Sequence, residues 1–268
     1  MTLMRPTTPM SPMPAPAGPA PEPRLRHAEP VMGTVFSFDV PAAARAVLPA
    51  VLRWLHWVDS RFSTYREDSD VSRFGRGEAA LTDCAPELAE VIGECAAFRD
   101  LSGGYFTDRP GGRFDPSGLV KGWSVEHAAT MLTAVGHTSH SINGAGDVQC
   151  AGEPEPGRPW RIGIADPLRP GTLAAVVAGR DFAVATSGPA ERGPHIIDPH
   201  TGQPATGLAS VTVVGPRVTT ADACATAAFA MGPAARDWVE SLDGYEAFAV
   251  TPDGSRWHTT GFGAHLAS

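Results

Sequence analysis

The stretch Thr219–Gly232 reads TTADACATAAFAMG and predicts a helix around which the rest of the chain is arranged. Thr219 or Thr220 is a suitable N-cap, and small residues fill one side of the helix. Asp222 and Thr226 are four positions apart, so a helix presents both side-chain oxygens on one face. A carboxylate and a hydroxyl suit Mg2+ or Ca2+ better than zinc. The alternative is an exposed first-turn aspartate that only complements the helix macrodipole.

Short strands precede and follow this helix, each recognisable by alternating or continuous apolar residues between turn signals. The predicted strands are 139–150 (broken at Gly144 and Gly146, with Asn143 and Asp147 flanking the break), 160–164, 174–179, 181–186, 209–214, 245–250 and 255–260. We expect 174–179 and 181–186 to form a hairpin through a tight turn at Gly179-Arg180, and the last two strands to form a hairpin at the sheet edge. Between them, HIIDPHTGQP carries His195 and Asp198 before a proline-framed turn.

The first half of the chain predicts one strand and two helices before a glycine-rich segment. Residues 32–40 alternate as a half-buried strand, which Gly33 interrupts as a bulge or a close approach to a ligand. A helix then runs to about Asp59, and Pro49 should kink it or shift its start. A second helix is expected from about Pro86 to Leu101. Strands and helices mix without a regular βαβ order, which predicts the α+β class.

The segment YFTDRPGGRFDPSGLVKGW, residues 105–123, is dense in glycine and carries Asp115, Ser117 and Lys121. Glycines let backbone N–H groups approach phosphate oxygens, and a lysine supplies a point charge. A helix is expected from Trp123 to Val135, so Lys121 would lie at its N-terminal end. A cation is unfavourable there for the helix alone, whereas a phosphate is favoured, so Lys121 is a candidate anion-binding residue.

Composition limits the function classes. The chain has 268 residues, of which 43% are hydrophobic, so it can bury a sizeable core. Its net charge of -8 argues against a nucleic-acid partner or an anionic membrane surface. Its four cysteines form no CxxC pair, and no 18-residue apolar run predicts a membrane span.

The first 30 residues contain many prolines and no apolar signal region or cysteine. We therefore expect residues 1 to about 28 to be a disordered head, residues 29–268 to form one domain, and the protein to be cytoplasmic.

Taken together, Met32-Gly33-Thr34, the FSTY segment ending at Tyr65, DPSGLVKGW, NGAGD, ATSG, HIIDPHTGQP and ADACATA resemble the ApbE family. Its members are flavin transferases that use FAD to attach FMN to a threonine or serine of a target protein. The resemblance runs in order from about Val31 to Gly232.

The resemblance implies a Mg2+ site made by the side chains of Asp222 and Thr226 and the main-chain oxygens of Ala225 and Gly118. It also implies a set of FAD contacts, namely Met32, Tyr65, Tyr105, Phe106, Thr107, Asp115, Lys121 and Ile196. Physical chemistry agrees with these roles, because a metal and a lysine offset the charge of a diphosphate and a flavin ring needs a largely apolar pocket. The acceptor hydroxyl needs a nearby base, for which His195 and Asp198 are both candidates. With Asp222, they form the expected catalytic set.

Several positions depart from the family pattern. The glycine-rich segment usually reads G-x-F-D, whereas here Gly104-Tyr105-Phe106-Thr107 places Asp108 one position late. The connection before Asp115 is shortened to RPGGR, Pro116 replaces a leucine, and Val120 replaces a smaller residue. These changes lie on the flavin side of the site. They keep open an FAD pyrophosphatase, in which water replaces the acceptor, and a non-catalytic flavin carrier.

Overall fold

The computed structural model describes residues 22–189, 193 and 196–267. The strands are β1 (Arg24–Val31), β2 (Thr34–Pro41), β3 (His140–Gly144), β4 (Asp147–Ala151), β5 (Trp160–Ala165), β6 (Leu173–Gly179), β7 (Phe182–Ser187), β8 (Ile197–Asp198), β9 (Gln203–Pro204), β10 (Ser210–Gly215), β11 (Glu246–Val250) and β12 (Arg256–His258). The α-helices are α1 (Leu48–Phe62), α2 (Asp70–Gly75), α3 (Pro86–Leu101), α4 (Ser117–Ala134), α5 (Val218–Met231) and α6 (Ala235–Glu240). The α+β class predicted from the sequence is confirmed.

Eight of these strands form one antiparallel sheet in the order β1-β2-β3-β4-β7-β10-β11-β12. The pairs β5–β6 and β8–β9 form two separate two-stranded sheets. The final hairpin of β11 and β12 therefore lies at the edge of the large sheet, as predicted.

The structure has three layers. Helices α1, α4 and α5 cover one face of the large sheet, where residues such as Phe36, Ile142 and Val213 are fully buried with Val125 and Ala228 from the helices. The β5–β6 pair covers the part of the opposite face formed by β4, β7, β10 and β11. A further core joins α1, α3 and α4 around residues such as Leu88 and Trp123. The sheet therefore buries apolar side chains on both faces.

The start of the chain differs from the prediction. Strand β1 begins at Arg24, so residues 24–28 belong to an ordered edge strand and the predicted boundary of the head at residue 28 is wrong. Mostly polar edge strands lack the continuous apolar pattern that marks a buried strand, which explains why β1 was missed. The remainder of the predicted head, residues 1–21, lies outside the described residues.

Gly33 also has a different role from the predicted bulge. Met32 and Gly33 are the two loop residues between β1 and β2, with φ of 54° and 71°. Positive φ at both central residues is the pattern of a type I′ hairpin turn. Met32 is therefore a turn residue at the tip of the first hairpin.

The predicted hairpin of residues 174–179 and 181–186 is wrong. Strand β6 pairs with β5, whereas β7 lies in the large sheet between β4 and β10. Burial explains the difference, because residues 182–185 of β7 are all buried while most of β6 is only half-buried. A strand buried on both faces belongs in the centre of a sheet.

The helix predictions hold to different degrees. Helix α3 has the predicted bounds, and Pro49 lies in the first turn of α1, which confirms the predicted shift of its start. Helix α4 begins at Ser117, six residues before the predicted Trp123. Helix α5 begins at Val218 after Arg217, so neither Thr219 nor Thr220 is its N-cap. Because α4 begins at Ser117, Lys121 is its fifth residue and lies inside the helix rather than at its N-terminal end. Among the described residues, no helix has both the length and the apolarity needed to cross a bilayer.

His140 opens β3 and is completely buried. Its Nδ1 lies 2.8 Å from the carbonyl oxygen of His137, so Nδ1 carries the hydrogen and donates it. Its Nε2 has no hydrogen-bond partner among the described residues. Burial lowers the pKa of His140, although the hydrogen bond to His137 opposes this shift, and the charge of Arg24 lowers the pKa further. The imidazole is thus stabilised in its neutral form.

We predict that folding stability depends on the protonation of His140. The folded-state pKa of His140 lies below the unfolded value of about 6.5. The free energy that the neutral imidazole contributes to folding is therefore fully present above that pH and is lost as the pH falls through the folded-state pKa. The free energy of unfolding should then fall by up to about 1.4 kcal/mol per pH unit for one proton. Urea unfolding of the wild type and His140→Asn between neutral and acidic pH measures this dependence. The exposed His258→Asn is the control, and parallel curves for the wild type and His140→Asn would contradict the prediction.

Candidate functional site

Helices α4 and α5 cross at Gly122, and the candidate site lies around this crossing. A Cβ placed on Gly122 would come within 2.8 Å of both the carbonyl oxygen of Val218 and the Cβ of Asp222. Cβ atoms do not occupy such positions without moving their neighbours, so the crossing requires a glycine in α4. Gly122, in the sequence KGW, therefore allows the close distance between α4 and α5.

Asp222 is the fifth residue of α5 and is only 5% exposed. Its Oδ2 accepts a hydrogen bond from the backbone N–H of Gly122 at 2.9 Å. The alternative of an exposed first-turn aspartate is therefore wrong. The carboxylate lies inside the α4–α5 crossing, where its ionised form needs nearby positive charge.

Lys121 and Asp147 complete a buried charged cluster with Asp222, which we call the crossing cluster. The Nζ of Lys121 lies 2.7 Å from the Oδ2 of Asp147. The side chain of Asp147 is completely buried, and that of Lys121 is 19% exposed. The local sequence indicates only that Asp147 lies beside a strand break, because the contacts that bring β4 to α4 are not encoded in the NGAGD motif. The occurrence of NGAGD in the family pattern was the available signal.

The electrostatics of the crossing cluster favour an additional cation or proton. Burial raises the pKa of Asp222 well above its ordinary value, and the neighbouring carboxylate of Asp147 raises it further. The ammonium of Lys121 and the N–H of Gly122 oppose this shift. Among the described residues, two carboxylates face one ammonium, so the ionised cluster has an excess negative charge that a divalent cation would offset.

Neutral oxygen atoms adjoin the crossing cluster at the next turn of α5. The Oγ1 of Thr226 lies 3.4 Å from the Oγ of Ser187, which sequence analysis named only within the ATSG motif. A Cβ placed on Gly118 would be 3.6 Å from the Oγ1 of Thr226. Ala225, whose main-chain oxygen the resemblance implies as a ligand, is fully buried next to Thr226. The fold thus brings Gly118, Asp222 and Thr226 to one region.

The chemistry of these residues fits Mg2+. Carboxylate, hydroxyl and carbonyl oxygens are the donors that Mg2+ accepts, and this ion commonly uses one or two carboxylates together with waters and substrate phosphates. In the described residues, no group of three or more His, Cys, Asp or Glu side chains is arranged to hold a metal ion. A site formed by Asp222, Thr226 and main-chain oxygens needs no such group.

Besides Lys121, which lies in α4, three of the predicted FAD contacts pack against α4 or against the β8–β9 turn. Phe106 is buried, and its ring would be 3.6 Å from a Cβ on Gly118. The Sδ of Met32 lies 3.8 Å from the Oγ of Ser124 in α4. The ring of Tyr105 packs edge-on against His200, with centroids 4.4 Å apart.

The other predicted flavin contacts are more dispersed. Tyr65 is 92% exposed, so its ring is free of protein packing. Thr107 and Asp115 form local hydrogen bonds to the backbone of Arg109 and Ser117, respectively. Ile196 packs against the core beneath the large sheet.

The candidate base Asp198 is the last residue of β8. The oxygens of Asp198 accept hydrogen bonds from the N–H of His200 at 2.9 Å and from the hydroxyl of Thr201 at 3.0 Å, within the β8–β9 turn. His195 lies outside the described residues.

A profile of the ApbE family matches residues 32–108 and 107–249, which include the crossing cluster, β2–β4 and α5. The chain belongs to the ApbE family. The match covers all the motifs on which the resemblance was based. The recognition made from the sequence is therefore confirmed.

Curated relatives in the ApbE family carry a common description. The chain is 34% identical over 232 residues to the FAD:protein FMN transferase of Rhodobacter capsulatus, which covers 82% of this chain and 41% of that protein. It is 27% identical over 267 residues to the FAD:protein FMN transferase of Vibrio cholerae, covering 76% of this chain and 80% of that protein. The chain thus spans less than half of the first relative and most of the second.

A solved ApbE structure shares the fold. The ApbE protein of Thermotoga maritima superposes with a TM-score of 0.82 at 23% identity, covering 92% of this chain and all of that chain. At this level of identity the similarity establishes the ApbE fold, which confirms the prediction of a single ApbE-like unit.

We predict that Gly122→Ala destabilises the protein by about 1–3 kcal/mol, because its methyl group would overpack the α4–α5 crossing. Gly93→Ala in α3 is the matched control, because a Cβ at residue 93 meets nothing within 4 Å. This substitution also replaces a conformationally flexible glycine at an exposed helix position. Urea unfolding of both variants tests the difference. Equal stability of the two variants would contradict the close approach at Gly122.

Proposed function

We propose that this chain transfers FMN from FAD to a threonine or serine hydroxyl of an acceptor protein, with Mg2+ required and AMP released. The observation that carries the proposal is the buried crossing cluster of Lys121, Asp147 and Asp222, with Thr226 one turn further along α5. Membership in the ApbE family and the description of both relatives as FAD:protein FMN transferases support the same activity.

The proposed reaction breaks the phosphoanhydride bond of FAD and forms a phosphoester bond to the acceptor. The acceptor oxygen attacks the phosphorus atom that carries riboflavin, and the bond from that phosphorus to the bridging oxygen breaks. The bridging oxygen leaves with AMP, and the hydroxyl proton passes to a base. The products are an FMN phosphoester on the acceptor protein and AMP, so all atoms of FAD and of the hydroxyl are accounted for.

Lys121 and a divalent cation would offset the negative charge of the FAD diphosphate, which is the main electrostatic requirement of this reaction. Asp222 and Thr226, with the main-chain oxygens of Gly118 and Ala225, would hold Mg2+, which supplies positive charge to a diphosphate when bound. The ammonium of Lys121 is partly exposed beside the two carboxylates, where it would bind a phosphate oxygen. Preorganised charge of this kind is commonly the largest contribution to phosphoryl-transfer catalysis.

His195 is the base that we favour for the acceptor hydroxyl. The hydrogen bonds that both oxygens of Asp198 accept within the β8–β9 turn assign that carboxylate a structural role. An imidazole has an ordinary pKa near neutrality, which suits proton removal from a hydroxyl.

The flavin ring would be held on the side of α4 that faces the Gly104–Thr107 segment. Phe106 lies against Gly118, and Met32 adjoins α4, so both contribute apolar surface close to the crossing cluster. The exposed ring of Tyr65 and the Tyr105–His200 pair offer aromatic surface for stacking on a planar ligand. Thr107, Asp115 and Ile196 remain proposed contacts.

We predict that the purified protein, incubated with FAD, Mg2+ and a threonine-bearing acceptor peptide, releases AMP and forms flavinylated peptide. Mass spectrometry of the peptide and chromatography of the nucleotides measure the two products. AMP with free FMN would instead identify an FAD pyrophosphatase, and FAD binding without AMP would identify a flavin carrier. Either result would overturn the proposed transfer. Removing Mg2+ with EDTA should abolish the reaction.

Asp222→Asn is expected to reduce transfer by about 100-fold or more, because it removes the carboxylate that holds the cation. The amide oxygen can still accept the hydrogen bond from Gly122, and loss of one buried like charge relieves repulsion with Asp147, so the variant should fold. The increase in unfolding temperature caused by Mg2+ should be lost. Asp237→Asn on the exposed side of α6 is the control, and full activity of Asp222→Asn would contradict the site.

A further inference from the structure

Asp147 is the most completely buried member of the crossing cluster. It is the first residue of β4 and pairs with Gly144 across the β3–β4 hairpin, so its backbone is fixed by the large sheet. Among the described residues, no backbone N–H donates a hydrogen bond to its carboxylate. Its stabilisation in the ionised form therefore depends on the adjacent ammonium of Lys121.

The ammonium of Lys121 lies 2.7 Å from the Oδ2 of Asp147. Lysine has a flexible side chain with several rotatable bonds, and fixing it costs conformational entropy. A carboxylate held rigidly by a sheet limits where this ammonium can lie. The contact also joins helix α4 to strand β4.

The location of Lys121 makes this restriction functionally relevant. Lys121 directly precedes Gly122, whose backbone N–H donates to the carboxylate of Asp222, and the charge of Lys121 lowers the pKa of Asp222. A lysine released from Asp147 would retain its charge but would extend toward solvent from its half-buried position.

We propose that Asp147 is a positioning residue that holds the Lys121 ammonium at the α4–α5 crossing, where it binds the diphosphate of FAD. This inference rests on the proposed function. Asp147 itself would neither contact FAD nor transfer a proton. The affinity of Lys121 for FAD would depend on strand β4, because β4 fixes the position of Asp147.

Binding of FAD without a metal tests this role. In EDTA, quenching of flavin fluorescence on titration gives the dissociation constant for the wild type, Asp147→Asn, Lys121→Met and the double variant. Loss of a charge-assisted hydrogen bond weakens binding by about tenfold or more, so we expect this for both single variants. If Asp147 acts through Lys121, then Asp147→Asn has no further effect in the Lys121→Met background.

Two results would overturn the proposal. One is wild-type affinity in Asp147→Asn, and the other is a full additional weakening in the double variant. A third measurement distinguishes a direct cation ligand. If Asp147→Asn abolishes the Mg2+-induced rise in unfolding temperature in the Lys121→Met background, Asp147 binds the ion itself and the proposed role is wrong.

Matched variants separate positioning from a general effect on folding. Asp166→Asn also removes a buried, ion-paired carboxylate, which pairs with Arg169 and Arg256 far along the chain from Lys121, and it should leave FAD affinity unchanged. If Asp147→Asn fails to fold, Lys121→Arg tests the same contact, because it keeps the charge and changes its geometry. Weaker FAD binding by Lys121→Arg supports the role of Asp147, and unchanged binding overturns it.

The inference and the proposed function fail in different ways. Absence of FAD binding by the wild type would remove the proposed function and the inference together. Normal FAD binding and transfer by both the wild type and Asp147→Asn would overturn the role of Asp147 alone.

Discussion

The close contact between α4 and α5 at Gly122 is the constraint on which the site depends. With only a hydrogen atom as its side chain, Gly122 lets the backbone of α4 approach α5 closely enough to donate its N–H to the carboxylate of Asp222. The same approach brings Gly118 next to Thr226 one turn away. A single backbone contact therefore arranges the carboxylate, the hydroxyl and the main-chain oxygens that the family resemblance implies for Mg2+. A larger side chain at residue 122 would separate all of them.

This arrangement places charge where folding alone would disfavour it. Asp147 and Asp222 are both buried, and one lysine offsets only part of their charge. Buried charges lose hydration, and a pair of like charges adds repulsion, which raises the pKa of Asp222. A site that binds a cation and a diphosphate needs such an imbalance before its ligands arrive. Burial of apolar side chains by the large sheet and helix α5, on both sides of the cluster, compensates for this destabilisation.

The architecture also explains how residues from distant parts of the chain reach one place. The hairpin turns at Met32-Gly33 and at Ala145-Gly146 both use positive φ, and β2 pairs with β3 between them. Asp147 follows the second turn directly, so the sheet holds it beside α4. Residues 105–107 enter from the other side, where Phe106 belongs to the core formed by α1, α3 and α4. The site therefore lies where two hydrophobic cores meet, and helix α4 contributes to both.

Local pattern in the sequence determined the elements whose signals are short-range. The bounds of α3 followed from its proline start and apolar period, and the pairing of Asp222 with Thr226 on one helix face followed from their spacing of four. The order of the motifs was sufficient to recognise the ApbE family. Tertiary structure alone decided that Asp222 is buried, that Gly122 contacts it across 100 positions, and that Asp147 pairs with Lys121. It also decided that β7 pairs with β4 and β10 rather than with β6. The physical reason is that periodicity encodes which side of an element is apolar, whereas the partner that covers this side is selected by packing of the whole chain.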